Sequence, residues 1–390
     1  MKKVELLSPA GDLNRLKAAL LYGADAVYVG GRKYSLRANA TNLSLEEIKE
    51  ATDFAHKLGK KVYLTLNIVF HNEDLKEVKD YIKDVVDAGI DAFIVSDISL
   101  VKYIKDNFKV EAHISTQNTT NNKMSALFLK EVGADRVVLG RELSLSEIKE
   151  ICALNIVDTE VFIHGAVCSF YSGRCALSSY FTKRDANRGG CAQVCRFTFK
   201  DGDKDFSMAS KDMNLSSYIT SLIEAGVTSF KIEGRMRSIY YLATVITSYR
   251  MIIDAYYNKT YNEKVLNDAK SYLDRVANRD NTEQFLKGYT DQNDQYYEGR
   301  KEETNQDYVL DVLEENKNIL KVMQKNYFTK EDNIEIFNYK HQSEIIKIKE
   351  ILDEEENIVD AARHPKSIYY LVLEKSLDME VTLYTMGRKI

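Results

Sequence analysis

The sequence contains little proline, few cysteines and no long apolar run, and each shortage excludes a class of protein. Two prolines and 18 glycines in 390 residues, with 44% hydrophobic and 29% charged residues, are typical of an ordered chain rather than a linker-rich or disordered one. Because no run of about 18 apolar residues occurs, we expect no membrane-spanning helix. The N-terminal apolar stretch is interrupted by Glu5 and lacks a small-residue cleavage site. We therefore predict a cytoplasmic protein with no signal peptide and no membrane partner.

Common catalytic motifs are also missing. Neither GxGxxG nor a P-loop follows the first predicted strand, which removes the usual nucleotide site of a doubly wound open sheet. The HExxH motif of metalloproteases and the GxSxG motif of α/β-hydrolases are absent. The CxxxCxxC motif of radical chemistry with S-adenosylmethionine is absent as well. Any chemistry must therefore come from other residues.

A short unit recurs in the first part of the chain: a helical pattern that ends in glycine, followed by an apolar strand. It begins at Gly23, Gly89, Gly133 and Gly226. Each glycine suits the left-handed position that ends a helix, and each β-branched run suits a strand buried on both faces. Eight strands are predicted, at residues 5–8, 26–29, 61–66, 92–95, 111–114, 136–139, 160–163 and 229–232. Eight strand-helix alternations predict an α/β fold with a (β/α)8 TIM-like barrel, and the open sheet is the alternative.

The predicted barrel has one overlong connection and is followed by a second domain. About 65 residues separate strands seven and eight, where a TIM barrel usually spends about 30. Helices are predicted at 44–58, at 72–88 with an Asn72 cap, and at 238–258. From about residue 307 the pattern changes to short alternating strands, at 307–313, 319–324, 333–338, 344–351 and 369–373. We predict a barrel domain at 1–303 and a small C-terminal β-barrel or β-sandwich domain at 304–390.

Four of the five cysteines fall within 28 residues, all in the overlong connection: Cys168, Cys175, Cys191 and Cys195. In a reducing compartment such a group indicates metal ligands or catalytic thiols rather than disulfides. The first pair is too widely spaced for a zinc knuckle, whereas a 4Fe-4S cluster accepts ligands from separate loops. We predict that these four hold a 4Fe-4S cluster, with zinc or unligated redox thiols as alternatives. The fifth, Cys152, lies in an apolar helical pattern and is predicted to be a core thiol.

Polar residues follow several predicted strands, at the barrel end where such enzymes keep their chemistry. His113 and Gln117 come at the end of strand five, and Glu233 follows strand eight. These three are candidate catalytic residues, against the alternative that they belong to ordinary loops. Arg37 after strand two, and Arg235 and Arg237 after strand eight, are candidates for binding a carboxylate or phosphate, because arginine offers a fork of donors.

His164 closes strand seven four residues before Cys168. This spacing allows a thiolate-imidazole pair like that of a cysteine hydrolase. The alternative is a histidine that positions groups near a cluster, and we favour it.

The charge of the chain is unevenly distributed. Its formal net charge is −5, which argues against indiscriminate nucleic-acid binding. Between Cys168 and Lys200, however, only Asp185 is acidic, while six residues are basic: Arg174, Lys183, Arg184, Arg188, Arg196 and Lys200. The cysteines therefore lie in a basic segment of an acidic protein, which is compatible with RNA binding.

Several motifs together resemble the peptidase U32 family. They are LSPAG (7–11), YSLR (34–37), EVFIHGAVC (160–168), GRCALS (173–178), KRDANRGGCAQVCR (183–196), KDM (211–213) and KIEGRM (231–236). The likeness continues into the C-terminal domain at 322–328, so it covers nearly the whole chain. Val194 and Phe197 differ from the residues common at those positions, but no cysteine is lost.

The resemblance implies a function. Despite the name, the family includes proteins that hydroxylate RNA or quinone precursors without molecular oxygen, using four cysteines that hold a 4Fe-4S cluster. Its tRNA branch, which this chain is most similar to, makes 5-hydroxyuridine at the wobble position with prephenate as the implied hydroxyl donor. On this basis we expect tRNA to contact Arg174, Lys183, Arg184 and Arg188, and a dicarboxylate donor to contact Arg37 or Arg235.

Two other functions stay open on the sequence. One is a collagenase-like peptidase that uses Cys168 and His164. The other is a cluster-dependent subunit that works only with a paralogous U32 partner.

Overall fold

A computed structural model describes residues 3–36, 41–276, 279–296 and 307–390. The chain divides into two units, one of Met1–Leu273 with Arg279–Glu302 and one of Asp274–Asn278 with Glu303–Ile390. The strands of the first unit are β1 Glu5–Pro9, β2 Ala26–Gly30, β3 Lys61–Leu66, β4 Ala92–Val95, β5 Glu111–Ile114, β6 Arg136–Val138, β7 Asp158–Gly165, β8 Phe199–Asp201, β9 Lys204–Phe206, β10 Asp212–Asn214, β11 Ser229–Ile232 and β12 Asn281–Thr282. The helices are α1 Leu13–Leu21, α2 Leu45–Lys57, α3 Val78–Asp87, α4 Ile98–Asn107, α5 Lys123–Val132, α6 Leu145–Cys152, α7 Leu177–Thr182, α8 Ile219–Glu224, α9 Ile239–Tyr257 and α10 Glu263–Asp274.

Eight parallel strands close into a barrel. Strands β1 to β7 pair in sequence order, and β11 pairs with both β7 and β1. The closing registers place Glu5 opposite Ser229 and Phe162 opposite Lys231. All eight predicted strands are present with ends within two residues of the prediction, so the (β/α)8 barrel is confirmed.

Side-chain caps explain where several helices begin. Ser44 and Ser144 each form a capping box, and Ser238 accepts a hydrogen bond from the backbone of Tyr241. The predicted Asn72 cap is wrong, because α3 begins only at Val78 and has no side-chain cap. The intervening Asp74 instead binds an arginine of the cysteine-rich segment, described below.

The barrel interior combines an apolar cluster with buried charges. The apolar cluster consists of Leu7, Ala26, Tyr28, Tyr63, Ala92 and Ile94. Beside it, Glu160 accepts hydrogen bonds from Lys231 Nζ at 2.8 Å and Arg136 Nη1 at 3.1 Å. Arg136 also donates to Glu5 at 2.6 Å. Burial opposes ionisation of Glu160, but Lys231 and Arg136 together lower its pKa to about 2.

The second unit is an antiparallel β domain. Its strands are β13 Tyr308–Asn316, β14 Ile319–Gln324, β15 Phe328–Thr329, β16 Ile334–Phe337, β17 Ser343–Ile346, β18 Ile348–Leu352, β19 Ile358–Val359, β20 Ala361–Ala362, β21 Ile368–Leu373 and β22 Met386–Lys389. Eight of them form one half-barrel sheet in the order β17-β16-β22-β13-β14-β21-β18-β19. Alternate residues of β21, namely Tyr369, Leu371 and Leu373, enter its apolar core.

The C-terminal β fold is confirmed, but several of its strands differ from the prediction, and the short strands β15, β19 and β20 were not predicted. The single strand predicted at 344–351 is two strands, because β17 pairs with β16 whereas β18 pairs with β21. Strand β22 was not predicted, although it pairs with both β13 and β16.

Among the helices of the described residues, none is both long and apolar enough to cross a lipid bilayer.

Candidate active site

A cavity of about 520 Å³ lies at the carboxyl ends of the barrel strands. Its wall includes Asn67 after β3, Ser115 after β5, Arg141 after β6, Cys168 after β7 and Glu233 after β11. This is the end of a TIM barrel at which catalytic residues are found. The barrel therefore places loops from distant parts of the sequence around one space.

All four clustered cysteines line this cavity, and none forms a disulfide. Burial raises the pKa of the Cys195 thiol, and the neighbouring Cys168 and Cys191 thiols raise it further. A hydrogen bond with Ser169 lowers it. These three thiols are therefore close enough to influence one another electrostatically. Cys175 lies two residues before α7, on the same cavity.

The loop around Cys175 is held by hydrogen bonds. The Cys175 N–H donates to Asn187 Oδ1 at 3.1 Å, and Asn187 Nδ2 donates to the Cys175 carbonyl at 2.9 Å. The Leu177 N–H donates to the Cys175 sulfur at 3.2 Å. The turn before Cys191 is tight, because a Cβ added to Gly190 would lie 2.7 Å from the Asp185 carbonyl oxygen. The segment is thus built around close backbone contacts.

The donor set has the chemistry of an iron-sulfur ligand set. In the part of the chain that the structure describes, no three His, Cys, Asp or Glu side chains converge as they would around one metal ion. A four-iron cluster is larger than one ion, and each thiolate binds its own iron atom. Four thiols without disulfides around one cavity match the number and type of donors that such a cluster needs.

Arg188 anchors the cysteine-rich segment to the loop after β3. Its Nη2 donates to Asp74 at 2.9 Å, its Nη1 donates to the same carboxylate, and Nη1 also donates to the Val69 carbonyl at 2.7 Å. The Val69 N–H in turn donates to the Asn187 carbonyl at 2.9 Å. The hydrogen bonds from Arg188 lower the pKa of Asp74. The sequence assigned Arg188 to RNA binding, but the structure gives it a partner within the protein.

We predict that Arg188→Lys loosens the segment although the positive charge is kept. Lysine cannot form the two parallel hydrogen bonds to Asp74 that the guanidinium forms. Because the pair is partly exposed, the cost should be about 1 kcal/mol. Limited proteolysis within residues 168–200 should be faster in Arg188→Lys and Asp74→Asn than in wild type. If both variants are cleaved at the wild-type rate, the hydrogen bonds between Arg188 and Asp74 do not hold the segment, and only the charge of Arg188 matters.

His164 does not form the pair with Cys168 that the sequence allowed as the less favoured alternative. Its Nδ1 lies 3.1 Å from the Tyr249 hydroxyl, and in the described residues no hydrogen bond joins the imidazole to a cysteine sulfur. Burial, with a smaller effect of Arg237, lowers the pKa of His164 to about 3. The imidazole is thus neutral at pH 7 and fixed beneath the cavity wall.

His113 lies in the barrel interior rather than at the rim. It is fully buried, its Nε2 is 2.9 Å from Glu111, and its ring packs edge-on against Tyr63. The expectation that His113 faces the cavity is wrong. Its position along β5 places the side chain in the barrel interior, deeper than the residues that line the cavity. The chain reaches the cavity only at Ser115 and beyond.

Three other predicted residues do line the cavity. Gln117 accepts a hydrogen bond from Ser115, and Glu233 accepts one from the Tyr28 hydroxyl at 3.1 Å. Arg235 is buried, and its Nη2 donates to the Ser35 hydroxyl at 2.9 Å. Their roles in catalysis and binding stay predictions. Arg37 lies outside the described residues.

Close approach of two strand ends positions Glu233. Gly165, at the end of β7, has φ +105°, and a Cβ there would lie 2.4 Å from the Glu233 carbonyl oxygen. Only glycine fits both the backbone conformation and the space. Glycine is therefore required at this position of the motif, because any side chain would collide with the Glu233 backbone.

The remaining predicted RNA contacts are on the surface. Arg174, Lys183 and Arg184 are exposed, and each is near cavity-lining residues in the sequence. Tyr180 and Phe181, in α7, are also exposed, at 84% and 58%. Exposure this high excludes a core role for these two rings, which the sequence had not singled out.

The cavity is strongly basic. Among the described residues that line it, one side chain, Glu233, is acidic and six are basic: Arg141, Arg196, Lys231, Arg235, Arg237 and Arg279. Burial and the neighbouring Arg279 lower the pKa of Arg196. Arg141 was missed, although its place directly after β6 is a usable signal. Arg279 was also missed, and its sequence surroundings carry no such signal.

The fold is a closed (β/α)8 barrel, and four free cysteines surround a basic cavity at the ends of its strands. These features define a barrel protein with a cysteine-based site. Residues 11–296 match the model of Peptidase family U32, and residues 304–386 match that of the Peptidase family U32 C-terminal domain. The chain belongs to peptidase family U32.

Relatives in this family carry names that concern RNA hydroxylation. The chain is 42% identical over 395 residues to tRNA hydroxylation protein P1 of Bacillus subtilis, covering 96% of this chain and 93% of that protein. It is 33% identical over 445 residues to tRNA hydroxylation protein P of Haemophilus influenzae, covering 98% and 95%. It is 41% identical over 261 residues to 23S rRNA 5-hydroxycytidine C2501 synthase of Escherichia coli, covering 65% and 40%.

Proposed function

We propose that this protein is an RNA-modifying enzyme that hydroxylates the wobble uridine of tRNA to 5-hydroxyuridine without molecular oxygen. One observation carries the proposal: among the residues that the structure describes, four free thiols and six basic side chains line the same cavity at the catalytic end of the barrel. The names of the tRNA relatives, which align over most of their length, support the choice of RNA.

The cofactor in this proposal is a 4Fe-4S cluster held by Cys168, Cys175, Cys191 and Cys195. When bound, such a cluster supplies a redox-active centre whose potential the surrounding protein tunes. The four thiols have the donor type and the shared location that it requires.

The hydroxyl donor in this proposal is a prephenate-like dicarboxylate. The net reaction exchanges two groups: the uridine C5–H bond and the donor C–O bond break, and a C5–O bond and a donor C–H bond form. Uridine is oxidised by two electrons and the donor is reduced by two, so no further oxidant is needed. The six basic side chains of the cavity offer charge for an anionic donor.

Glu233 is the proposed base that accepts the proton from C5 of the uridine. Of the three predicted catalytic residues, His113 is buried in the barrel interior and Gln117 has no titratable group. Glu233 lines the cavity with a carboxylate that the Tyr28 hydroxyl orients. Geometry and chemistry together therefore favour Glu233.

RNA would approach along the exposed surface of the cysteine-rich segment. Arg174, Lys183 and Arg184 provide charge for phosphates, and Tyr180 and Phe181 provide exposed rings on which unpaired bases can stack. A target base must leave its stack to enter the cavity. A paralogous U32 subunit could add further RNA contacts, whereas no contact in the described residues favours the peptidase pair.

Mass spectrometry of tRNA nucleosides tests the proposal. Deletion of the gene, in a strain without a paralogue, should remove 5-hydroxyuridine and its derivatives from tRNA, and the wild-type gene should restore them. Glu233→Gln should not restore them, whereas Glu283→Gln, a change to the same residue type outside the cavity lining, should do so. Unchanged 5-hydroxyuridine in the deletion strain would refute the tRNA assignment.

A further inference from the structure

Two arginines of the cavity wall share one carboxylate. Asp212 Oδ1 accepts from Arg279 Nη1 at 3.1 Å, and Asp212 Oδ2 accepts from Arg237 Nη2 at 3.3 Å. Arg196 lines the same cavity, and its Nη1 donates to Gln193 Oε1 at 2.7 Å. Two guanidinium groups, from different segments of the chain, thus meet at one acid, in the cavity wall that Arg196 also lines.

Asp212 is itself held by the backbone. It is the first residue of β10, which pairs with β7 through Met213 and Gly165. Its N–H donates to the Asp280 carbonyl at 3.0 Å, beside the short strand β12. The carboxylate therefore has a fixed position from which to orient the two arginines.

The other basic side chains of the cavity interact mainly with the wall. Lys231 binds Glu160 at 2.8 Å, and Arg235 donates to Ser35 at 2.9 Å. Arg141 lies over the Phe162 ring, 5.0 Å from its centroid. Arg237 and Arg279 differ in sharing one carboxylate, so an anion beside them would meet two guanidinium groups at once.

We propose that Arg196, Arg237 and Arg279 form a binding site for a carboxylate of a small co-substrate, with Asp212 as the residue that positions Arg237 and Arg279. The proposal rests on the proposed function, since the co-substrate is its hydroxyl donor. It moves the donor site away from Arg37 and Arg235, the residues that the sequence suggested.

A small carboxylate fits this site better than an RNA phosphate does. The side chains of Arg279 and Arg237 are only 9% and 23% exposed, so their partner must enter the cavity. RNA phosphates remain with the backbone at the surface, where Arg174, Lys183 and Arg184 are exposed. The Tyr241 ring, 5.0 Å from the Arg237 guanidinium, further restricts that side chain.

Calorimetric titration of the full-length, anaerobically purified protein tests the site. The probes are prephenate, which carries carboxylates, and uridine 5′-monophosphate, which carries a phosphate. Arg237→Gln and Arg279→Gln should each weaken prephenate binding about tenfold or more, because each removes a charge-assisted hydrogen bond. Arg279→Lys should fall between wild type and Arg279→Gln, and uridine 5′-monophosphate binding should change less than twofold.

Arg363→Gln is the matched control, since it removes the same charge from an exposed side chain outside the cavity lining and should leave prephenate binding within twofold of wild type. Melting temperatures identify any variant that has lost its fold. If a glutamine variant does not fold, the result for Arg279→Lys decides the test. The site is wrong if the wild type does not bind prephenate, if the variants bind it normally, or if they lose uridine 5′-monophosphate binding to the same extent. If the prephenate-binding test fails but the protein still hydroxylates tRNA normally, this site is wrong and the proposed function stands.

Discussion

Cys168→Ser is expected to eliminate both bound iron and tRNA hydroxylation, whereas Cys152→Ser is expected to leave both at the wild-type level. Cys168 lines the cavity with three other thiols. Cys152, at the end of α6, is a half-buried free thiol whose sulfur lies 3.2 Å from the Thr159 hydroxyl. The two substitutions remove the same atom from the same chain, so they separate a ligand role from a general effect of losing a thiol.

Iron and acid-labile sulfide in anaerobically purified protein provide the first readout, with about four irons per chain expected for wild type. tRNA nucleosides from complemented deletion strains provide the second. Cys175→Ser, Cys191→Ser and Cys195→Ser should reproduce Cys168→Ser if the four act as one set. A peptidase would behave differently, since only Cys168→Ser would abolish its activity and the wild-type protein would be colourless.

Glu160→Gln is expected to destabilise the barrel by about 3–5 kcal/mol at neutral pH. The substitution leaves the buried cations Lys231 and Arg136 without the full charge of their shared partner. Glu150→Gln is the control, because Glu150 is 64% exposed and pairs with Lys123 on the surface at 3.1 Å. That exposed pair should contribute about 0–1 kcal/mol. Equal melting temperatures for the two variants would show that the buried network contributes little.

The same network predicts how stability depends on acid. The folded-state pKa of Glu160 is about 2, below its ordinary value of 4.5. A lowered pKa means that the ionised carboxylate stabilises the folded state above pH 4.5, and that this contribution is lost as the pH falls from 4.5 towards 2. Glu160→Gln should therefore lower the melting temperature at pH 7 but show a smaller further decrease across that interval. A decrease as steep as that of wild type would place the acid sensitivity elsewhere.

Local patterns were sufficient to predict the barrel. Four of the eight predicted barrel strands are short apolar runs that follow a helix-ending glycine, such as Gly89 before β4, and this signal does not depend on distant residues. Helix α9 was also predicted from its local pattern, and the structure shows that Ser238 caps it. The start of α3 could not be predicted locally, because Asp74 binds Arg188, which is 114 residues away. The split between β17 and β18 likewise depends on which strands pair with them.

The candidate site was only partly predictable. Strand ends in a TIM barrel lie on one rim, so the sequence correctly placed Glu233, Gln117 and the cysteines around one cavity. It was wrong about His113, because residues two apart on a strand share one face, so the local pattern does not distinguish His113 in the interior from Ser115 at the cavity. It also missed Arg279, which reaches the cavity through its pairing with Asp212, 67 residues earlier.

The sequence by itself determined the barrel, the C-terminal β domain and the grouping of four cysteines in one insertion, because each depends on neighbouring residues. Only the tertiary structure decided what the basic residues do. It gave Arg188 to an internal anchor, left Arg174, Lys183 and Arg184 on the surface, and brought Arg237 and Arg279 together at Asp212 in the cavity wall that Arg196 also lines. The physical reason is that the role of a charged side chain depends on the partner it meets, and these partners come from distant parts of the chain.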